Sequence, residues 1–355
     1  MYSVAILGAT GAVGGEFLRL FEQRRFPVSS LRLLASERSA GKRLVFQGKE
    51  VAVEAVGPRS FEGVEYAFFS AGASRSREFA PFAIDAGATV IDNSSAFRMD
   101  ANVPLVIPEI NGQAMTAESK LVAVPNCSAI VLLMAVAPLR SLGKIERIIV
   151  STYQSASGGG AAMMQRLVDE TRDALDPNTQ HPTPTNLPPY AFNLFSHNTP
   201  INEHGYNEEE WKVIHESRKI LGMPELKINI TCIRVPVLRA HSESITVEFG
   251  TPLSTMPVRG EGAGGGEAIE DAVRRVLSEA RGVRVVDDRP GNNFPTPLEA
   301  SGQEDVLVGR IRRDVSHPSA ISLFASGDQL LKGAALNAVQ IAEELIKMRS
   351  AVSVG

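Results

Sequence analysis

Cysteine is nearly absent. Two in 355 residues, Cys127 and Cys232, cannot build a disulfide framework and lack the paired spacing of a zinc site, so a reducing compartment fits and no metal is implied. Long apolar runs are missing as well, since nothing approaches the ~20 residues that a membrane helix needs. The first residues, MYSVAILGATG, carry no basic flank and run straight into a glycine turn, which argues for a buried strand over a secretory leader. No run of Lys or Arg interrupts a chain of net charge -4, which removes the electrostatic footprint of a nucleic-acid or anionic-membrane binder. These absences place the protein in the cytoplasm, with neither nucleic acid nor membrane as a partner. No internal repeat is visible.

What is present is an ordinary globular composition, 44% hydrophobic and 21% charged. At 355 residues the chain exceeds the size at which one core stops growing, so two domains are expected. The apolar run at 3–7 meets a glycine turn and then a helical pattern through Phe21. Strands follow at 31–35, near 51–53, at 66–70 and at 89–92, with a helix over 76–86. This alternation predicts a doubly wound α/β fold, a Rossmann-type dinucleotide-binding domain over 1–126. After a strand at 121–124, Pro125-Asn126-Cys127-Ser128 leads into an apolar helix over 129–139 and the pattern changes. Longer strands at 147–154, 226–234 and 244–249 predict an α+β catalytic domain over 127–327. Prolines in the Pro/Asn-rich stretch 176–207 exclude a regular helix and most central strands, leaving a long functional or subunit-contacting loop. A flexible connection is expected at 260–266, and a final helix over 330–348, within 328–350, is expected to pack back on the first domain.

The turn Gly8-Ala9-Thr10-Gly11-Ala12-Val13-Gly14 lies after the first strand and opens the first helix. Glycines there let the backbone approach a pyrophosphate, which sits on helix N-terminal amides. Gly8, Thr10, Gly11, Ala12, Val13 and Gly14 are therefore the candidate cofactor-binding residues; alone, such a pattern also fits a tight turn with no ligand. At the end of the second strand, where an NAD site normally places an acidic residue, the chain reads Ala35-Ser36-Glu37-Arg38-Ser39. Arg38 can fork onto a 2′-phosphate and Ser39 can donate to it, which predicts NADP, although Glu37 speaks the other way.

Cys127 stands where a strand ends and a helix begins, so unpaired amides can stabilise a thiolate and then hold an oxyanion. It follows Pro and Asn, turn formers that aim a side chain outward. Cys232, inside the strand-like INITCIRVP, reads as a buried structural cysteine.

Seven segments, GATGAVG, SSAFR, VPNCS, STYQSASGGG, EEEWK, CIRVPVLRAHSE and KGAALNAVQIAE, occur in the order and at the approximate spacing of one family. Through them nearly the whole chain resembles the aspartate-semialdehyde dehydrogenases. The resemblance implies a glyceraldehyde-3-phosphate-dehydrogenase-like architecture whose second domain also dimerises, a homodimer, and a role in making lysine, threonine, methionine and isoleucine. It implies that the Cys127 thiolate attacks L-aspartyl 4-phosphate, expels phosphate and leaves a thioester, which NADPH reduces to L-aspartate 4-semialdehyde.

By the same resemblance His241 is the general acid/base, since an imidazole titrates near working pH, and Gln154 orients the substrate beside the sulfur. Arg234 grips the substrate carboxylate, Arg98, Lys212 and Asn126 hold the phosphate, and Glu209 meets the ammonium. Glu209 and Lys212, three apart on one helical face, fit a solvated ion pair nearly as well. Ser157 and Gly158 correspond to a second cofactor contact. Gln329 stands where the family usually has Asn, keeping the amide on a longer arm. The nearest rival, N-acetyl-glutamyl-phosphate reductase, surrounds its cysteine differently, and a catalytically silent binding module would have lost Cys127, Gln154, Arg234 or His241.

Overall fold

The computed structural model describes residues 1–176, 188–197, 199–255 and 268–352. The expected flexible connection at 260–266, and 177–187 with 198 of the Pro/Asn-rich stretch, lie outside the described residues. Two compact units emerge, one made of Met1–Asn126 with Gly333–Gly355, the other of Cys127–Lys332.

The first unit opens with β1 (Tyr2–Leu7), α1 (Ala12–Gln23) and β2 (Val28–Ala35), followed by β3 (Arg43–Phe46) and β4 (Lys49–Ala55). Next come β5 (Tyr66–Phe69), α2 (Ala73–Asp85), β6 (Thr89–Asp92), the single turn α3 (Pro108–Asn111) and β7 (Leu121–Ala123). The sheet order is β3-β4-β2-β1-β5-β6-β7, all parallel except the β3–β4 pair. Strand order reverses between β1's two neighbours, β2 and β5, so the turn after β1 lies at a switch point, where such sheets bind ligands. β3 was not expected: Arg43-Leu44-Val45-Phe46 has one apolar run too short to distinguish from a loop. The C-terminal helix, Leu336–Val352, belongs to this unit, entered through a π-turn at Leu331–Ala335. Arg24, just past the end of α1, forks onto Glu343, and Asn337 Nδ2 donates to the Val106 carbonyl at 2.8 Å.

The second unit contains α4 (Cys127–Val136), β8 (Ile145–Gln154), α5 (Ala161–Leu175), β9 (Phe195–Ser196), α6 (Glu208–Leu221) and β10 (Lys227–Arg234). It continues with β11 (His241–Phe249), α7 (Ile269–Glu279), β12 (Val283–Val285), the turn α8 (Pro297–Ala300), β13 (Val306–Arg313) and β14 (Ala320–Gly327). Its mixed sheet runs β12-β13-β14-β11-β8-β10-β9. β11 begins at His241, three residues before the strand expected from 244. Its first three residues, His241-Ser242-Glu243, are polar and all buried, a combination that apolar periodicity does not mark. β13 and β14 were not expected at all. The uniformly apolar α4 is buried along nearly its whole length, as its composition demands.

No helix among the described residues is long and apolar enough to cross a membrane.

Candidate active site

In the first unit the chain leaves β1 and turns at Gly8 with φ +94°, where an added Cβ would collide with the Ser70 carbonyl. A Cβ on Gly14 would lie 2.5 Å from the Gly8 and Ala9 carbonyl oxygens, so glycine there lets α1 sit against the strand end. Gly11 caps α1 without a side-chain hydrogen bond, and the first turn holds no acidic residue. The amides of Ala12, Val13 and Gly14 therefore look outward for acceptors, as the first N–H groups of any helix do. Thr10 Oγ1 lies 3.4 Å from Ser39 Oγ, which brings the short helical turn Glu37–Ser39 after β2 to the same place. Ser39 is buried, whereas Glu37 and Arg38 are exposed, and Arg38 has no hydrogen-bond or ion-pair partner among the described residues. Anion-seeking amides with no carboxylate among them fit a dinucleotide pyrophosphate.

Two further candidates belong to this unit. Arg98 is buried and donates from Nε to the Val124 carbonyl and from Nη2 to the Asn93 carbonyl, at 2.9 and 2.8 Å, so its guanidinium is held firmly. Asn126, also buried, is the unit's last residue before the chain enters the second.

The second unit gathers the rest. Cys127 is the first residue of α4 and half-buried, with Sγ 3.5 Å from His241 Nε2. His241 opens β11, level with the end of β8; Arg234 ends β10 in register with Gln154. The two nitrogens of His241 face different company. On the far side from sulfur, Nδ1 accepts from the Ser155 main-chain N–H at 3.1 Å. Burial first, and the Arg234 charge next, hold the His241 pKa well below the usual imidazole value.

Gln154 is fully buried and its Nε2 donates to Ser128 Oγ at 2.7 Å and to Glu209 Oε1 at 3.3 Å. A carboxylate only accepts, which fixes the amide's orientation and leaves Oε1 as an acceptor with no partner among the described residues. Glu209 is buried near the start of α6, whose N-terminus is fixed by a reciprocal Asn207–Glu210 capping box. Lys212, one turn on, pairs with Glu208 at 3.6 Å.

Arg234 donates from Nη1 to the Ser155 carbonyl at 3.1 Å and meets His197 Nε2 through Nη2 at 2.8 Å. Since the guanidinium can only donate, His197 accepts and is neutral. Burial first, and the Arg234 charge next, push its pKa down to about 4. Gly158 has the room that only glycine leaves: a Cβ would come within 2.9 Å of Arg234 Nη1 and of the His241 ring. Ser157 Oγ accepts from Gln329 Nε2, while Gln329 Oε1 accepts from the Ala240 N–H at 3.0 Å. Much of the Gln329 amide is thus committed inside the unit.

Cys232 faces the core of the same sheet, fully buried, and burial pushes its thiol pKa far up, so it is no nucleophile. Sequence reasoning missed His197 and Ser155. His197 is a lone histidine in a Pro/Asn-rich stretch, and a Ser before a glycine turn carries no chemical signal of its own. Among the described residues no group of three or more His, Cys, Asp or Glu side chains could hold a metal ion.

Two family models match the chain: Semialdehyde dehydrogenase, NAD binding domain, over residues 3–118, and Semialdehyde dehydrogenase, dimerisation domain, over 136–332. It is 49% identical over 345 residues to an aspartate-semialdehyde dehydrogenase of Synechocystis sp., covering 97% of each chain. The chain belongs to the aspartate-semialdehyde dehydrogenase family. A second family member, from Prochlorococcus marinus, is 47% identical over 346 residues, covering 97% of this chain and 96% of that one. Aspartate semialdehyde dehydrogenase II from Vibrio cholerae, in a crystal structure complexed with ASA, has a TM-score of 0.86 at 39% identity, covering 98% of each. The two family segments fall inside the two compact units. As a member of the aspartate-semialdehyde dehydrogenases the chain is an oxidoreductase with a nicotinamide-dinucleotide domain and a dimerisation domain.

Proposed function

We propose that this protein reduces L-aspartyl 4-phosphate to L-aspartate 4-semialdehyde with release of phosphate, using NADPH and a thioester on Cys127. It rests above all on Cys127 Sγ standing at the start of α4, 3.5 Å from His241 Nε2. The V. cholerae relative complexed with ASA supports the substrate, and the family's place supports a role in making lysine, threonine, methionine and isoleucine. The Gly8–Gly14 turn would hold the pyrophosphate on the Ala12, Val13 and Gly14 amides, with Thr10 beside it, and Arg38 and Ser39 would take a 2′-phosphate. Ser157 and Gly158, with Gln329, would border the nicotinamide end. Bound NADPH supplies the hydride that converts the acyl group to the aldehyde level.

The protein's own groups do the rest. Helix amides at the start of α4 stabilise the Cys127 thiolate, which attacks the acyl carbon while phosphate departs with the electrons of the broken C–O bond. Arg234 presents a fork to the substrate's α-carboxylate, and Glu209 supplies the anion for its ammonium. Gln154 Oε1 is a buried acceptor waiting for a donor from the substrate. Arg98, Asn126 and Lys212 would hold the phosphoryl group, and His241 Nε2 meets the oxygen charge that develops next to sulfur. The protein would work as a cytoplasmic homodimer.

The test follows formation of reduced nicotinamide from NADP and aspartate semialdehyde, with and without phosphate, for the native protein and Cys127→Ala. Phosphate-dependent activity that drops roughly 10^4-fold or more in the variant is the expected result. Activity surviving in the variant removes the thioester, and none in the native protein removes the substrate.

A further inference from the structure

One arginine does not satisfy a carboxylate taken out of water. A carboxylate has about four acceptor sites, and a guanidinium fork fills two of them. Arg234 has other duties as well, donating from Nη1 to the Ser155 carbonyl at 3.1 Å and from Nη2 to His197 at 2.8 Å. A buried carboxylate at Arg234 therefore calls for a further donor beside it.

Three contacts bring Tyr190 to that place. Phe195 of β9 pairs directly with Arg234 of β10, so the two side chains leave the sheet on one face. The Tyr190 ring meets the Phe195 ring edge-on, with centroids 5.2 Å apart. It also packs with Ala156, the residue after the Ser155 whose carbonyl holds Arg234. Tyr190 is 0% exposed, and its hydroxyl has no hydrogen-bond partner among the described residues. A buried tyrosine hydroxyl ordinarily finds one, so this hydroxyl is set for a partner that arrives with a ligand.

The backbone that carries the ring is fixed from α5. Glu170 accepts from the Tyr190 N–H and from the Ala191 N–H, the latter at 3.2 Å. Arg166, one turn earlier, donates to Glu170 at 2.5 Å and to the Pro188 carbonyl at 2.7 Å. The charges acting on the hydroxyl are Arg234 and then Arg166, both positive, which selects an anion as the missing partner. Burial outweighs their pull and holds the Tyr190 pKa above the usual phenol value, so the group stays protonated and donates. Arg166 is committed to Glu170, which leaves Arg234 as the cation that shares the anion.

We propose that Tyr190 is a substrate-binding residue whose hydroxyl donates to the α-carboxylate gripped by Arg234, so that the protein selects aldehydes that carry this carboxylate. This rests on the substrate proposed above.

The experiment compares the full-length native protein with Tyr190→Phe, which keeps the ring and removes only the hydroxyl, in the phosphate-dependent oxidation of aspartate semialdehyde by NADP. The KM for the semialdehyde should rise about tenfold or more, the loss of one hydrogen bond to a charged group, while kcat and the KM values for phosphate and NADP stay within about twofold. Both proteins are also measured on 3-aminopropanal, the semialdehyde without its carboxylate. There the substitution should change kcat/KM little, so the preference for the semialdehyde shrinks about tenfold. An unchanged KM for the semialdehyde, a rise in the KM for phosphate in its place, or an equal loss on both aldehydes overturns the proposal. The melting temperature should not fall, since the hydroxyl has no partner to lose; a clear fall would give it a structural one and overturn the proposal as well. A native protein inactive on the semialdehyde removes the substrate reading, whereas an active variant with the native KM removes Tyr190 alone.

Discussion

The two sheets put their functional groups in different places. In the first unit β1, β5 and β6 are buried almost throughout and largely apolar, and the candidate cofactor residues stand on turns at strand ends. In the second unit three of the candidate residues are the strands' own last or first residues: Arg234 on β10, Gln154 on β8, His241 on β11. Behind them on the same face stands a second buried row, Cys232, Thr152 and Glu243, before the apolar core begins at Ile230, Val150 and Ile245. A site on turns takes its geometry from a few backbone amides. A site inside strands takes it from sheet register, so one altered side chain is felt by its cross-strand neighbours.

The largest effect should come from breaking the strand-borne row. Arg234→Lys loses the fork that spans the Ser155 carbonyl and His197, and kcat/KM for the semialdehyde should fall roughly 10^2-fold, with a melting temperature close to native. Unchanged kinetics would mean that the carboxylate is held by something else. A turn residue should matter for one ligand only. Arg38→Ala should raise the KM for NADP about tenfold or more, the loss of a charged hydrogen bond, and leave that for NAD nearly alone; equal effects on both would remove the 2′-phosphate assignment.

Two pH effects sharpen the contrast further. The folded pKa of His197 lies below its unfolded value, so its contribution is whole above pH 6.5 and is lost as pH falls through about 4. There a charged His197 stops accepting from Arg234, and KM for the semialdehyde should climb on the acid side; His197→Asn should flatten that limb. Smallest of all is Glu243. Its folded pKa is raised by burial, so stability is full below the ordinary carboxylate range and drains away as pH rises toward the folded value. The melting temperature of Glu243→Gln should therefore gain on the native protein with rising pH, by ~2–4 °C per kcal/mol in a unit of this size. A difference flat with pH would show that Glu243 is not held neutral.

The same contrast explains what could be seen in advance. β1, β5 and β6 were legible because an apolar run between turn residues has few other uses, and the Gly8–Gly14 turn because backbone approach demands glycine. Cys127 was legible from its place at a strand–helix junction. The start of β11 was hidden because a buried polar triplet has no apolar period. β13 went unseen because Val306–Arg313 mixes three exposed residues, Arg310, Arg312 and Arg313, with its apolar ones, and β14 went unseen although it is mostly apolar. Ser155 and His197 act through partners far apart in sequence, at Gln329 and Arg234, and no local pattern records such a meeting.

The chain passes between the two units only at Asn126–Cys127 and Lys332–Gly333, so the second unit is an insertion within the first. During synthesis the opening 126 residues must wait for a closing helix encoded roughly 200 codons later, a delay of ~10–40 s at ribosomal speed. The second unit, continuous in the message, can be finished first. A ribosome that has just passed codon 332 has then encoded the whole catalytic layer before any of the helix that completes the dinucleotide fold.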